Sequence, residues 1–175
     1  DQCIECGHCV SVCPTEAIDN IRTPRAGQET IDPAKLPSKE SAAYFLRTRR
    51  SIRGFRPEPV PRETVLELLD LARLAPTGGN TQNVQFHIID NRGTLKKVTE
   101  AAMTWAKGRL NLAPHLASMV AFHQATGKDN VLRDAPCMIL TLMDETTAPL
   151  FRQNGRFMLT YAELYAPVLG LGSCW

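Results

Sequence analysis

Four of the six cysteines crowd into eleven positions: Cys3, Cys6, Cys9 and Cys13, with Pro14 immediately after. The spacing C-x2-C-x2-C-x3-C-P lets a tight loop turn successive thiolates toward different irons of a 4Fe-4S cube, while the fourth cysteine leaves on a segment opened by proline. Gly7 suits such a loop, because backbone curled round an inorganic core needs a residue without Cβ. Zinc or a pair of disulfides would be the alternatives, but zinc sites usually set two close cysteine pairs a dozen or more residues apart. Cys3, Cys6, Cys9 and Cys13 are therefore the expected metal ligands. His8 is expected to be an ordinary loop residue, since four thiolates complete the set. Cys137, in the apolar run from Pro136 to Met143, reads as a buried, inert strand cysteine.

A second group is basic. Arg49, Arg50, Ser51 and Arg53 fall within five residues, and guanidinium forks with a hydroxyl suit a phosphate. The competing reading is a solvated basic helix end favoured by the macrodipole. Further on, Ala75-Pro-Thr-Gly-Gly-Asn-Thr-Gln82 offers two glycines for close approach to a flat ligand, with Thr77, Asn80 and Gln82 able to bond ring oxygens and nitrogens. Gly170-Leu-Gly-Ser-Cys-Trp175 would bring a second such backbone to the same ligand. No G-x-G-x-x-G behind a strand suggests a Rossmann site. No side chain stands out as a general acid or base, so no catalytic residue is assigned.

These residues need elements to carry them. A short helical turn is expected at Thr15 to Ile18, then a polar linker to Glu40 with Pro24, Gly27, Pro33 and Pro37. Ala42, Ala43, Phe45 and Leu46 stripe a helix that stops at Arg47-Thr-Arg-Arg50. Pro61 opens the next helix, whose apolar face is Val65, Leu66, Leu68, Leu69, Ala72 and Leu74, interrupted by Pro76. Val84 to Ile89 reads as a strand, and one or two helices fill Leu95 to Gln124. A second strand holds Cys137, and a last helix covers about Phe151 to Leu169, shortened or bent by Pro167 and ended by Gly170. Helices with a few separated strands indicate an α+β fold rather than a repeated βαβ sheet.

The 175 residues are 43% hydrophobic, enough to bury a core, and the formal charge of +2 gives no basic field for nucleic acid or an anionic membrane. The longest apolar stretch, Ala135 to Met143, is about half a bilayer span. A cytoplasmic protein without a membrane or nucleic-acid partner is expected. With no initiator Met and a last residue on an apolar run, both ends are expected to be internal to a longer protein.

In content and order, Arg-Arg-Ser-Ile-Arg, a helix, Ala-Pro-Thr-Gly-Gly-Asn-Thr-Gln-Asn, a strand and Gly-Leu-Gly-Ser-Cys-Trp resemble the nitroreductase family. The cysteine segment resembles the second half of a bacterial two-cluster ferredoxin. Thr160-Tyr-Ala-Glu-Leu-Tyr-Ala-Pro167 is similar to the matching helix of the branch in which such a module is fused to the flavodomain. The resemblance implies a partial ferredoxin-type module at 1–20, a linker at 21–40 and a C-terminally incomplete flavodomain at 41–175, its mixed or antiparallel sheet surrounded by helices. It implies a homodimer with FMN at the subunit interface. Arg49, Arg50, Ser51 and Arg53 would hold the phosphate and ribityl chain. Pro76, Thr77, Gly78, Asn80 and Gln82 would face the isoalloxazine from the other subunit, and Ser173, Cys174 and Trp175 would begin the backbone at its reactive edge. Thr77 replaces the family's usual serine, and Asn83-Val84 replaces its Pro-Trp. One cube or two in the intact protein, and which of them Cys13 ligates, stay open. The implied activity is hydride transfer from flavin N5 to a small nitroaromatic, quinone or activated alkene, with ferredoxin or reduced nicotinamide as electron donor. The alternatives are a non-catalytic electron carrier or redox sensor and, within the same fold, dehalogenation or flavin fragmentation.

Overall fold

The computed structural model describes residues 3–111 and 113–175, with Pro114 described by its backbone alone. Among the described residues six α-helices and two strands follow in the order α1 (His8–Ser11), α2 (Lys39–Thr48), α3 (Arg62–Ala72), β1 (Gln85–Ile89), α4 (Arg92–Lys107), α5 (Pro114–Thr126), β2 (Met138–Leu142) and α6 (Ala148–Tyr165). The strands pair antiparallel from Gln85 opposite Leu142 to Ile89 opposite Met138. Helices around a small antiparallel sheet are the α+β arrangement expected.

The first helical turn is not at Thr15–Ile18. It lies at His8–Ser11, because Gly7 adopts a left-handed φ of 71° and its carbonyl accepts from the amides of both Val10 and Ser11. After Cys13 the chain instead makes a turn closed by the Glu16 amide on the Cys13 carbonyl. Residues 21–28, read as part of the linker, fold back on this loop. Arg22 pairs with Glu5 at 3.0 Å, and the Ser11 hydroxyl donates to Gln28 Oε1 at 2.6 Å.

α2 starts where the Ser38 hydroxyl accepts from the Ser41 amide, the ordinary N-cap geometry. None of its apolar stripe is fully buried: Ala42, Ala43 and Phe45 are half-buried, while Leu46 faces outward. α3 buries Val65, Leu68, Leu69 and Ala72, whereas Leu66 and Leu74, read as part of the same face, are exposed. Spacing explains this: 65, 68, 69 and 72 fall within one arc at 3.6 residues per turn, and Leu66 lies outside it.

Two apolar clusters hold the elements. α3 meets α6 and the turn that follows it through Leu68, Ala72, Ala162 and Ala166, with Phe86 and Ile139 of the sheet against them. Alanines at the crossing let the helix axes come close, and burial of a residue such as Leu68 stabilises by about 2 kcal/mol. α4 and α5 pack separately through Met103, Ala106, Leu116 and Val120. No helix among the described residues is long and apolar enough to cross a membrane.

α6 ends as the sequence required. Pro167 turns the last residues into a 3-10 segment, Ala166–Leu169, and Gly170 takes φ 71°. The Leu171 amide then donates to the Ala166 carbonyl and the Gly170 amide to that of Pro167, the paired bonds of a Schellman stop. This reversal sends Gly172–Trp175 back along the segment after α2.

Candidate cofactor sites

The cysteine loop presents Cys3, Cys6 and Cys9 exposed and Cys13 half-exposed, all as free thiols. Val10, almost fully buried, pins the loop, and a Cβ on Gly7 would come within 2.9 Å of Gln28 Nε2. The Cys13 thiol is lowered to about 7, first by the Thr15 hydroxyl and then by the Ile18 amide, against the opposing effect of desolvation. Thiolate is thus favoured at that position before any metal charge acts. Among the described residues no three donor side chains converge as a single ion demands. A cube bonds each thiolate to its own iron, and four thiols spaced along one tight loop fit that chemistry.

The basic segment and the C-terminal glycine segment meet. Ser51 and Ser173 form a parallel bridge, with the Ile52 amide donating to the Ser173 carbonyl at 2.9 Å. Gly172 makes this approach possible: a Cβ there would stand 2.9 Å from Ile52 Cγ2. Beneath the bridge lies Glu163 of α6, its side chain only 9% exposed. One carboxylate oxygen accepts from Arg49 Nη1 and the other from Trp175 Nε1, each at 3.1 Å. Arg49 also reaches the Ser51 hydroxyl at 3.5 Å. Glu163 therefore ties together Arg49, Ser51, Ser173 and Trp175. Arg50 turns one nitrogen onto the carbonyls of Arg47 and Arg49 at the end of α2. That contact is the helix-end role weighed against phosphate binding. Arg50 and Arg53 remain exposed cations beside the bridge.

The Thr77–Asn83 loop is held by a different residue of α6. Asn154 is 2% exposed; its Oδ1 accepts from the Gly78 amide at 3.0 Å, and its Nδ2 donates to Thr81 Oγ1 and Asn83 Oδ1. A Cβ on Gly78 would strike the Phe151 ring at 2.9 Å. Asn80 and Gln82 both have positive φ, 53° and 45°, which costs about 1 kcal/mol or more at Gln82 and is sustained only because the loop is tied down. The Gln82 amide donates to Thr77 Oγ1, Gln82 Nε2 to Asn80 Oδ1, and Asn80 Nδ2 to the Ile4 carbonyl at 3.0 Å. Pro76 is exposed at the start of this loop.

The two groups stay apart within the chain. Asn154 and Glu163 lie nine residues apart, about two and a half helical turns, so they occupy opposite edges of the buried face of α6. Neither was expected as a site residue. The available signal was a polar side chain inside an apolar helical stripe, which normally carries only satisfied, buried groups. Cys137 also departs from expectation: it precedes β2 by one residue and is half-buried. Its thiol is pushed up by burial and secondarily by the Asp90 carboxylate. Cys174 is exposed beside the bridge.

Residues 46–175 match the Nitroreductase family. The chain belongs to that family. Residues 1–19 match a 4Fe-4S binding domain. Among curated nitroreductase relatives, a 4-nitrobenzoate reductase of Pseudomonas putida is 43% identical over 42 residues, 24% of this chain and 18% of that protein. An iodotyrosine deiodinase of Thermotoga neapolitana is 28% identical over 129 residues, 71% of this chain and 67% of that protein. A nitroreductase with bound FMN from Bacteroides fragilis superposes with a TM-score of 0.65 at 18% identity, covering 76% of this chain and 67% of that one. The nitroreductase fold is thus shared over most of the chain.

Proposed function

We propose that this chain is the core of an FMN-dependent oxidoreductase that takes electrons through a 4Fe-4S cluster and reduces a small electrophile: a nitroaromatic, a quinone or an activated alkene. The Ser51–Ser173 bridge carries this reading, because it unites a hydroxyl, exposed guanidiniums and a glycine-rich backbone where the sequence called for an FMN phosphate and ring edge. Arg50, Ser51 and Arg53 would hold the phosphate, and Arg49, already committed to Glu163, would shape the floor. Flavin bound there supplies hydride transfer at N5. The protein's part is to orient the ring through the Ser173–Trp175 backbone and the polar groups of Thr77 and Gln82.

The site is completed by a second copy of the chain. Leu150, Phe157, Tyr161 and Val168 form an exposed apolar stripe along α6 and the turn after it, at intervals of seven, four and seven residues. A two-fold axis near Leu159 maps this stripe onto itself, the self-complementary geometry of a symmetric dimer. The same axis brings Asn154 of one chain level, along the helix, with Glu163 of the partner subunit to within one residue. The Asn154-held loop then faces the Ser51–Ser173 group across the interface, so one FMN takes its phosphate contacts from one chain and ring contacts from the other. No membrane or nucleic-acid partner enters this reading, and the expected donor is ferredoxin or a reduced nicotinamide.

Replacing Arg50 and Ser51 together by Ala tests the phosphate assignment. FMN should leave the protein on gel filtration, and retention of the full yellow chromophore would remove those residues from the site. A second reading, reductive dehalogenation at the same flavin, is favoured by the deiodinase relative. Product analysis with a halophenol and a nitroaromatic in parallel separates the two.

A further inference from the structure

The cysteine loop and the ring-facing loop touch. Ile4, between Cys3 and Cys6, gives its carbonyl to Asn80 Nδ2, and Asn80 is in turn held by Gln82 Nε2 at 3.1 Å. Among the described residues this is the one hydrogen bond that leaves residues 3–28 for the rest of the chain. Among the described residues no hydrogen bond or ion pair joins the cysteine loop to Ser51, Ser173 or Glu163. The Asn154 clamp and the left-handed backbone at Asn80 hold the donor in place. The cysteine loop is therefore built onto the loop that faces the ring, and not onto the group that anchors the phosphate.

Resting on the reading above, we propose that electrons cross the dimer: the cluster of one chain serves the flavin whose phosphate is anchored on the other chain, with Asn80 as the positioning residue. Full reduction of one oxidised flavin takes two electrons, delivered singly, and two protons from solvent. A reduced ferredoxin is the one-electron donor.

Two mixed dimers, purified through two different affinity tags, decide the matter. In one, a chain carrying Cys6→Ala is paired with a chain carrying Arg50→Ala and Ser51→Ala. In the other, all three substitutions sit on one chain beside an unaltered partner. Each should hold one FMN per dimer, which the flavin absorbance of the purified dimer reports. Flavin bleaching on mixing with reduced ferredoxin is followed against a dimer with Cys6→Ala in both chains, which gives the direct background. The split dimer should bleach at the rate per flavin of the unaltered protein, and the other at background. The opposite pattern, or equal rates, overturns the crossing. If the unaltered dimer itself bleaches no faster than background, the cluster-to-flavin route of the proposed function fails instead. Asn80→Gly, which keeps the left-handed backbone, supplies a readout free of turnover. Amide hydrogen exchange over residues 5–13 should quicken about five-fold, the population change one net hydrogen bond commands. Unchanged exchange would remove Asn80 from its positioning role.

Discussion

Asn154 stands where an amphipathic helix would ordinarily carry an apolar side chain, and all of its hydrogen-bonding capacity named above is spent on one loop. Asn154→Leu keeps the volume and removes the bonds, leaving the Gly78 amide without its partner. The expected loss is about 2–3 kcal/mol in urea denaturation, together with weaker FMN retention; a variant as stable as the parent would show that the loop holds itself. Cys137 gives a pH-dependent counterpart. Its thiol is raised in the folded chain, by burial first and Asp90 second, so its contribution to stability is complete below the unfolded thiol value of about 8.5 and is lost as pH climbs through the folded value. The stability difference between the parent and Cys137→Ala should therefore shift against the parent between pH 7 and pH 10. A difference that does not change with pH would contradict the assigned cause. The cysteine run was legible as a cluster motif because its spacing is local. Residue type could not announce Asn154 or Glu163, whose partners lie between 12 and 114 residues away.

At the scale of elements, the C-terminal return depends on a chain of local devices: Pro167 shortens α6, Gly170 reverses the backbone and Gly172 allows Ile52 to close in. Gly172→Ala puts a Cβ 2.9 Å from Ile52 Cγ2, so Ile52 must shift and the Ser51–Ser173 bridge beside it is expected to loosen. Flavin content should fall several-fold while far-UV circular dichroism stays unchanged, and full flavin occupancy would show that the bridge does not shape the site. The helices and strands themselves were legible, since α3, β1 and α6 each carry a clear period and stop signal. The turn at Thr15–Ile18 was misplaced because local propensity there is weak, and the left-handed Gly7 decides where the helical turn forms. The apolar stripe of α2 is nowhere fully buried and its Leu46 faces outward, and a single chain's periodicity does not say what an apolar face will meet.

For the whole molecule, the exposed line of Leu150, Phe157, Tyr161 and Val168 is an apolar stripe that the folded chain leaves uncovered. Phe157→Asp places a charge at the centre of the proposed interface, within one helical turn of the two-fold axis. Sedimentation should show monomers that have lost FMN, while a dimer that persists with its flavin would move the interface elsewhere. The central claim, however, is that a cube of iron and sulfide and a flavin are carried by one polypeptide architecture. The visible spectrum of protein purified without air, read with iron and flavin assays, tests it most directly. The account predicts broad cluster absorption under resolved flavin bands, at least four irons and one FMN per chain. Colourless protein, lacking both iron and extractable flavin after such purification, would contradict it.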